Sequence, residues 1–242
     1  FALFQTLLAA APMPHSAYVD TGNAQIVSLS PELFLRKRGS ILESRPMKGT
    51  ARREPSWVAD EVARMALSGD EKNRAENIMI VDLVRNDLGR ICKPGRVAVP
   101  ELCRVDRFPT LHQMTSLVRG ELRENVSLFD IFAALFPPGS VTGAPKIRAM
   151  QIISELEPAP RGIYCGTISL FFPNGDFECN VAIRTIQRIK DKGERIKEDA
   201  LNPNSPFSFL LFPCILGLGS GIVADSDPEI EWHETLLKSQ FV

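Results

Sequence analysis

Strand-forming and helix-forming stretches occur in separate runs along this chain instead of alternating. A strand-rich section covers 16–49, and a mostly helical section covers 57–92 with a break at Gly69-Asp70. Strand patterns return around 97–105 and, after two further helices, at 166–189. Because a parallel sheet requires regular alternation of strands and helices, this order favours an α+β fold in which sheets pack with helices.

Local signals refine this outline. Two hairpins are predicted at turn-forming residues, and a final helix is predicted to begin at Asp227-Pro228, an N-cap followed by proline, and to run to about Gln240. The hairpins join Ala24–Leu35 to Ile41–Pro46 through Gly39-Ser40, and Gly166–Phe172 to Phe177–Ile189 through Pro173-Asn174-Gly175-Asp176.

Composition excludes several classes of function. The 242 residues are 44% hydrophobic, which is enough for a sizeable core. The formal net charge of -1 produces no long-range positive potential that would attract nucleic acid. No apolar stretch is long enough for a membrane span, and the N-terminus lacks the pattern of a signal peptide. The 5 cysteines fit neither a disulfide framework nor a zinc site. These features predict a cytosolic enzyme with small-molecule or protein partners and no nucleic-acid or membrane partner.

A lysine and a glutamate form the first candidate site. Folding about Gly39-Ser40 brings Lys48, in Pro46-Met47-Lys48-Gly49-Thr50, near Glu32. Burial makes a lysine a better nucleophile and raises the pKa of a carboxyl group until it can donate a proton. The pair therefore predicts covalent chemistry on a small molecule, and an ordinary surface Lys–Glu pair is the alternative.

Carboxylates on two helices form a second candidate. Glu76 lies on an apolar helix stripe, whereas Glu231, Glu234 and Lys238 share one face of the last helix. Converging glutamates suit Mg²⁺, which prefers oxygen ligands. Ordinary pairing of Glu234 with Lys238 on a solvated face is the alternative.

The glycine-rich turn 138–146 leads into a helix, where backbone N–H groups favour an anion. It is not a nucleotide P-loop, because Ala144 and Pro145 separate Gly143 from Lys146. A carboxylate ligand fits better. Arg184, placed in a strand over 181–186, is either a bidentate partner for a second carboxylate or a surface arginine. His112 is either a core histidine or an active-site donor.

Taken together, five motifs resemble the chorismate-utilising enzymes over nearly the whole chain. They are Ser28-Leu29-Ser30-Pro31-Glu32, Arg45-Pro46-Met47-Lys48-Gly49-Thr50, the stretch 74–87, the glycine turn to Lys146, and the stretch 219–226. The resemblance implies two large antiparallel sheets packed face to face with helices outside. It also implies that 1–242 forms one chorismate-binding catalytic domain that lacks its N-terminal section.

The resemblance also assigns roles to individual residues. It implies that Glu76 and Glu234, with Glu231 nearby, hold Mg²⁺ against the ring carboxylate of chorismate. That carboxylate would also contact Ser140 and the backbone at Gly219 and Gly221, with its charge offset by Lys238. Tyr164 and Arg184 would hold the enolpyruvyl carboxylate, and His112 would line the ring.

Lys48 distinguishes branches of the family, because relatives that make anthranilate, isochorismate or salicylate generally have a small residue there. The resemblance therefore implies the aminodeoxychorismate branch, in which Lys48 attacks ring C2, Glu32 protonates the leaving C4 hydroxyl, and ammonia from a glutamine amidotransferase subunit enters at C4. Anthranilate synthesis and a non-catalytic fragment are the alternatives. Two departures stand out: Asn73 replaces a usual acidic residue, and 190–218 is longer than the short hairpin expected there.

Overall fold

The computed structural model describes residues 1–109, 111–189 and 214–241. The helices are α1 (Ala2–Ala10), α2 (Trp57–Gly69), α3 (Glu71–Gly89), α4 (Leu128–Leu135), α5 (Lys146–Leu156) and α6 (Pro228–Leu237). The strands are β1 (His15–Asp20), β2 (Ala24–Ser30), β3 (Leu33–Arg38), β4 (Ile41–Arg45), β5 (Met47–Arg52), β6 (Cys92–Arg107), β7 (Leu111–Leu122), β8 (Ser169–Phe171), β9 (Phe177–Asn180), β10 (Thr185–Ile189) and β11 (Cys214–Leu216).

These elements form two compact units, each assembled from separated segments of the chain. The smaller unit contains 1–31, 161–168 and, of the described residues that follow, 182–189 and 214–241. The larger unit contains 32–160 and 169–181.

The smaller unit is built on an antiparallel sheet. Its 4 described strands lie in the order β1-β2-β10-β11. Side chains from α1 pack with strand residues to form a buried apolar cluster. Its members are Leu3, Leu7, Met13, Val27, Leu29 and Ile186.

The larger unit is built on a second antiparallel sheet with 7 described strands, in which the long β7 pairs with β4, β5 and β6. Helices α2 and α3 pack against β5, β6 and β7, and Leu67, Cys103 and Met114 are buried together beneath them. The α+β fold class with two antiparallel sheets and packed helices is therefore confirmed.

Side-chain caps explain where the helices begin. The side chain of Ser56 accepts a hydrogen bond at the start of α2, and that of Asp70 does so at the start of α3, which accounts for the break predicted there. Ser127 and Asp130 form a capping box at α4. Asp227 caps α6, which is followed by a 3-10 turn over Lys238–Phe241, close to the predicted end.

Both predicted hairpins form, but in each pair one predicted strand spans two observed strands, and the predicted strand Gly166–Phe172 is shortened to β8. The run Ala24–Leu35 is divided at Pro31 into β2 and β3, and Phe177–Ile189 is divided into β9 and β10. In each case the two parts belong to different sheets. Proline lacks the N–H that a continuous strand needs, which accounts for the first division.

Arg184 is not in a strand, contrary to the sequence prediction. It lies between β9 and β10 with φ of 49°, in the left-handed region that a regular strand excludes. The chain changes from one sheet to the other around this residue.

All five cysteines lie in the described residues and are thiols rather than disulfides. Of the helices in the described part of the chain, none combines the length and apolarity that crossing a bilayer requires. Most of the unexplained stretch 190–218, namely 190–213, lies outside the described residues.

Candidate active site

Glu32, Lys48 and Ser140 meet in the larger unit. Glu32 lies where the chain leaves β2 for β3, and its backbone carbonyl accepts from Val181 N–H at 3.1 Å. Its carboxyl group accepts hydrogen bonds from the Ser140 hydroxyl and from the backbone of Met47, and the positive charge of Lys48 lowers its pKa. The predicted proximity of Lys48 to Glu32 is thus present in the structure.

The carboxyl group of Glu32 is almost completely removed from solvent. The residue is 5% exposed, and burial raises its pKa from 4.5 to about 7. The hydrogen bond from Ser140, the charge of Lys48 and the backbone hydrogen bond of Met47 all act in the opposite direction. A carboxyl group with this pKa is protonated in a large fraction of molecules near neutral pH, as a general acid must be.

The backbone beside Lys48 is held against helix α3. Gly49 has φ of 87°, and a Cβ atom placed on it would lie 2.9 Å from the side chain of Asn73. The register between β5 and β7 shifts between Met47 and Thr50, so Lys48 lies within an irregular part of the strand. Asn73, the position that departs from the family pattern, therefore contacts the segment that presents Lys48.

Glu76 lies one turn along α3 from Asn73. Its side chain is half-buried and, among the described residues, makes no hydrogen bond or ion pair. The predicted apolar stripe is only partly buried, because Ile80 is 1% exposed whereas Met79 is 40% exposed.

His112 on β7 is completely buried in the larger unit. Its Nε2 lies 2.8 Å from Oδ1 of Asp60 on α2, and Asp60 also accepts from Arg53 Nε at 2.8 Å and from Glu54 N–H at 3.1 Å. The hydrogen bond from Arg53 is the main reason that the pKa of Asp60 is far below its ordinary value. The core environment that was one alternative for His112 is therefore present, whereas its contact with substrate stays a prediction.

A buried ion pair supports the glycine-rich turn. Lys146 Nζ lies 2.5 Å from Asp87 Oδ2 on α3 and donates to the Leu135 carbonyl at 3.0 Å. Helix α5 begins at Lys146, and its N-cap, Pro145, makes no side-chain cap. A cavity of about 10 Å³, room for roughly one water molecule, is lined by Glu32, Asp87 and Ser140 among others.

Tyr164, Gly219, Glu234 and Lys238 are linked in the smaller unit. A Cβ atom on Gly219 would lie 2.8 Å from Oη of Tyr164, so any larger residue would require the tyrosine side chain to move. Lys238 Nζ donates to the Gly219 carbonyl at 3.0 Å and lies 2.6 Å from Glu234 Oε1. The Glu234–Lys238 pair that spacing favoured is therefore present.

The other predicted residues of the smaller unit are less closely linked. The guanidinium of Arg184 is half-buried, and burial lowers its pKa. Its only polar contact with described residues is a weak one to Met13 Sδ at 3.9 Å. Glu231 Oε1 accepts from the Ser226 hydroxyl at 2.7 Å, and Gly221 is exposed between β11 and α6.

The predicted site residues therefore divide between the units. The larger unit holds Glu32, Lys48, Glu76, His112 and Ser140, and the smaller unit holds Tyr164, Arg184, Gly219, Gly221, Glu231, Glu234 and Lys238. Their assigned roles remain predictions. Sequence reasoning missed Asp60, which lies 52 residues from its partner His112 and has no local signal for the contact. It also missed the Asp87–Lys146 pair, although both residues lie within motifs that carried the family resemblance.

Comparison with known proteins agrees with the fold and the motifs. A family model described as chorismate binding enzyme matches residues 1–242. The chain is 43% identical over 232 residues to the probable chloroplastic aminodeoxychorismate synthase of Oryza sativa subsp. japonica, an alignment that covers 95% of this chain and 24% of that protein. It is 38% identical over 239 residues to aminodeoxychorismate synthase component 1 of Bacillus subtilis (strain 168), covering 99% of this chain and 46% of that protein.

Among solved structures, anthranilate synthase component I from Streptococcus pneumoniae TIGR4 matches with a TM-score of 0.81 and 32% identity, covering 98% of this chain and 48% of that one. The chain thus spans 24% to 48% of the length of these three proteins. The match of the family model over the whole sequence decides the assignment: the chain belongs to the chorismate binding enzyme family.

Proposed function

We propose that this chain aminates chorismate as the catalytic part of an aminodeoxychorismate synthase component 1. It would convert chorismate and ammonia to 4-amino-4-deoxychorismate, a precursor of p-aminobenzoate and folate. The observation that carries this proposal is the buried carboxyl group of Glu32, with a pKa of about 7, beside Lys48. The relatives named aminodeoxychorismate synthase, at 38% to 43% identity, support the same branch.

In the first step the amine of Lys48 forms a bond to ring C2 of chorismate. The two conjugated ring double bonds both shift, from C1–C2 to C1–C6 and from C5–C6 to C4–C5. The C4–O bond breaks, and the proton of Glu32 passes to the departing hydroxyl, which leaves as water. The new C2-bound nitrogen then loses its extra proton, which restores the protonated Glu32. A carboxyl group with a pKa near 7 can both give and receive that proton at neutral pH.

In the second step ammonia attacks C4. Both ring double bonds shift back, the C2–N bond breaks, and Lys48 leaves as an amine after taking up a proton released by the incoming nitrogen. The net change is chorismate plus ammonia giving 4-amino-4-deoxychorismate plus water. Lys48 and Glu32 both return to their starting states, as catalysis requires.

Recognition of the two substrate carboxylates is assigned to cationic and polar groups. Arg184, half-buried and without an acidic partner among the described residues, would bind the enolpyruvyl carboxylate together with Tyr164. Ser140, Lys238 and the backbone at Gly219 and Gly221 would contact the ring carboxylate. His112 would line the ring.

We further propose that the enzyme uses Mg²⁺ held by Glu76 and Glu234, with Glu231 nearby. Within the described residues no three His, Cys, Asp or Glu side chains are grouped as a metal site. The chemistry of the donors nevertheless fits, since all are carboxylates and Glu76 has no partner among the described residues. When bound, the ion would supply positive charge for the ring carboxylate.

The source of ammonia would be a glutamine amidotransferase subunit. The name component 1 of the Bacillus subtilis relative supports a second component. A cytosolic location is also proposed, supported by cysteines that are all thiols.

Product identification tests this function. The protein is incubated with chorismate, Mg²⁺ and an ammonium salt, with and without an aminodeoxychorismate lyase, and products are identified by mass spectrometry. We expect p-aminobenzoate only when the lyase is present. Lys48→Ala should abolish it, whereas Lys72→Ala, which removes an exposed lysine on α3, should not.

Anthranilate from the wild-type protein would instead support the second candidate, anthranilate synthase. That candidate is favoured by the named Streptococcus pneumoniae structure and opposed by Lys48. Untouched chorismate in every incubation would contradict both functions and support a non-catalytic fragment.

A further inference from the structure

Lys48 lies in a β-bulge between β5 and β7. The register of the two strands places two residues of β5, Lys48 and Gly49, opposite a single residue of β7, Met114. An extra residue in one strand interrupts the ladder of backbone hydrogen bonds and changes the direction of the side chains in the bulged segment. The direction of the Lys48 side chain therefore depends on the contacts that hold this segment in place.

The side chain of Gln113 on β7 holds the bulge through both ends of its amide. Its Nε2 donates to the Gly49 carbonyl at 2.8 Å, and its Oε1 accepts from the Thr50 hydroxyl at 3.1 Å. The Gly49 carbonyl can only accept, so the NH₂ group must face Gly49 and the amide oxygen must face Thr50. Gln113 is 8% exposed, so water has little access to replace either hydrogen bond.

The segment is also held on the other side of Lys48. There the carbonyl of Pro46 accepts from the Ser116 N–H at 3.1 Å. Lys48 therefore lies between two carbonyls that β7 holds, one through the backbone of Ser116 and the other through the side chain of Gln113. Substitution of a side chain can remove the second contact but not the first.

We propose that Gln113 is a positioning residue, whose hydrogen bonds to Gly49 and Thr50 fix the bulge so that the amine of Lys48 lies beside Glu32. This role rests on the proposed function. Gln113 supplies neither the nucleophile nor the proton, and it acts on the reaction through Lys48. Because a displacement of about 1 Å can slow a reaction about 100-fold, fixing the bulge matters for a nucleophile.

Steady-state kinetics of Gln113→Met test this role, because methionine has a similar length but makes neither hydrogen bond. We expect kcat to fall by about 10- to 100-fold with little change in the KM for chorismate. Gln25→Met is the matched control: the Gln25 amide also uses both ends, but it contacts Asp20 and Arg188 in the smaller unit. It should leave kcat and KM unchanged. An unchanged kcat in Gln113→Met, or a loss confined to KM, would overturn the positioning role.

The interaction between Lys48 and Glu32 provides a readout that does not depend on turnover. It is measured by ¹³C NMR of protein labelled in the glutamate side chains, with the Glu32 signal assigned by its absence in Glu32→Gln. In the wild-type background Lys48→Met should raise the pKa of Glu32, because the charge of Lys48 lowers it.

In a Gln113→Met background, Lys48→Met should raise the pKa of Glu32 by about half as much or less, because a displaced amine interacts more weakly with the carboxyl group. An equal rise in both backgrounds would mean that Gln113 does not position the amine. A smaller rise without any chorismate amination by the wild type would count against the proposed function and not against the positioning of Lys48.

Proton exchange in the wild-type chain keeps the inference testable even if Gln113→Met fails to fold. With ¹⁵N-labelled glutamine, the side-chain amide protons of Gln113 should exchange with solvent about tenfold or more slowly than those of Gln151, which is exposed on α5. Equally fast exchange at the two residues would show that the hydrogen bond to Gly49 is not maintained, and would overturn the inference.

Discussion

The charge of Lys48 acts on the buried carboxyl group of Glu32, lowering a pKa that burial alone would place still higher. The two side chains lie in the same compact unit. Glu32 lies in the connection between β2 and β3, and Lys48 lies in the irregular strand β5. A nucleophilic amine and a proton donor are thereby held at one place, as the proposed amination requires.

Glu32 should make the stability of the chain depend on pH. Its pKa is about 7 in the folded chain and 4.5 ordinarily, so the folded state keeps a proton that the unfolded state releases between these values. The resulting stabilisation is complete below pH 4.5 and is lost as the pH rises to 7. Relative to Glu32→Gln, we expect the free energy of unfolding of the wild type to fall by up to about 3 kcal/mol across this window.

Urea denaturation of both proteins at several pH values measures this difference. A constant difference between wild type and Glu32→Gln across the window would show that the pKa of Glu32 is not raised by folding.

Gly49 should tolerate substitution poorly because of the contact with Asn73. Gly49→Ala combines a positive φ with a Cβ atom 2.9 Å from that side chain, whereas Gly39→Ala has a positive φ and open space. The positive φ alone costs about 1 kcal/mol, and overpacking should add about 1–3 kcal/mol for Gly49→Ala. Equal losses in thermal or chemical denaturation of the two variants would mean that the segment bearing Lys48 is not held tightly against α3.

Replacing only one member of the Asp87–Lys146 ion pair should lower the free energy of unfolding more than replacing both members. Asp87→Asn leaves the ammonium of Lys146 buried without its carboxylate, which should destabilise the folded chain by about 3–5 kcal/mol. The double variant Asp87→Asn with Lys146→Met removes the charge as well and should recover much of that loss. Additive losses in a chemical denaturation series would contradict a coupled buried pair.

Arg184 should contribute to substrate binding and not to the stability of the fold. Its guanidinium is half-buried and has no acidic partner among the described residues. Arg184→Met should therefore leave thermal stability unchanged or higher, while raising the KM for chorismate by about tenfold or more. The KM of Arg184→Lys should lie between those of the wild type and Arg184→Met, because lysine keeps the charge but not the bidentate geometry. A large loss of stability with an unchanged KM would assign Arg184 a structural role.

Local chemistry explains which parts of this fold were predictable. Asp70 and Asp227 cap their helices with side chains that the sequence displays, and Gly39 and Gly175, both with positive φ, lie at the two predicted hairpin turns. The change of sheet at Arg184 was not predictable, because it depends on the pairing of β9 with β3 and of β10 with β2, and both of those partners are remote in sequence. For the same reason the sequence did not reveal that Asp60 holds His112.

Intact-protein mass spectrometry of the chain mixed with chorismate and Mg²⁺, with ammonia removed, tests the central claim most directly. The covalent role of Lys48 predicts a mass increase equal to chorismate minus one water, located on the peptide that contains Lys48. The increase should disappear on adding ammonium and be absent in Lys48→Ala. Formation of 4-amino-4-deoxychorismate by Lys48→Ala at the wild-type rate, without any adduct on the wild-type protein, would contradict it.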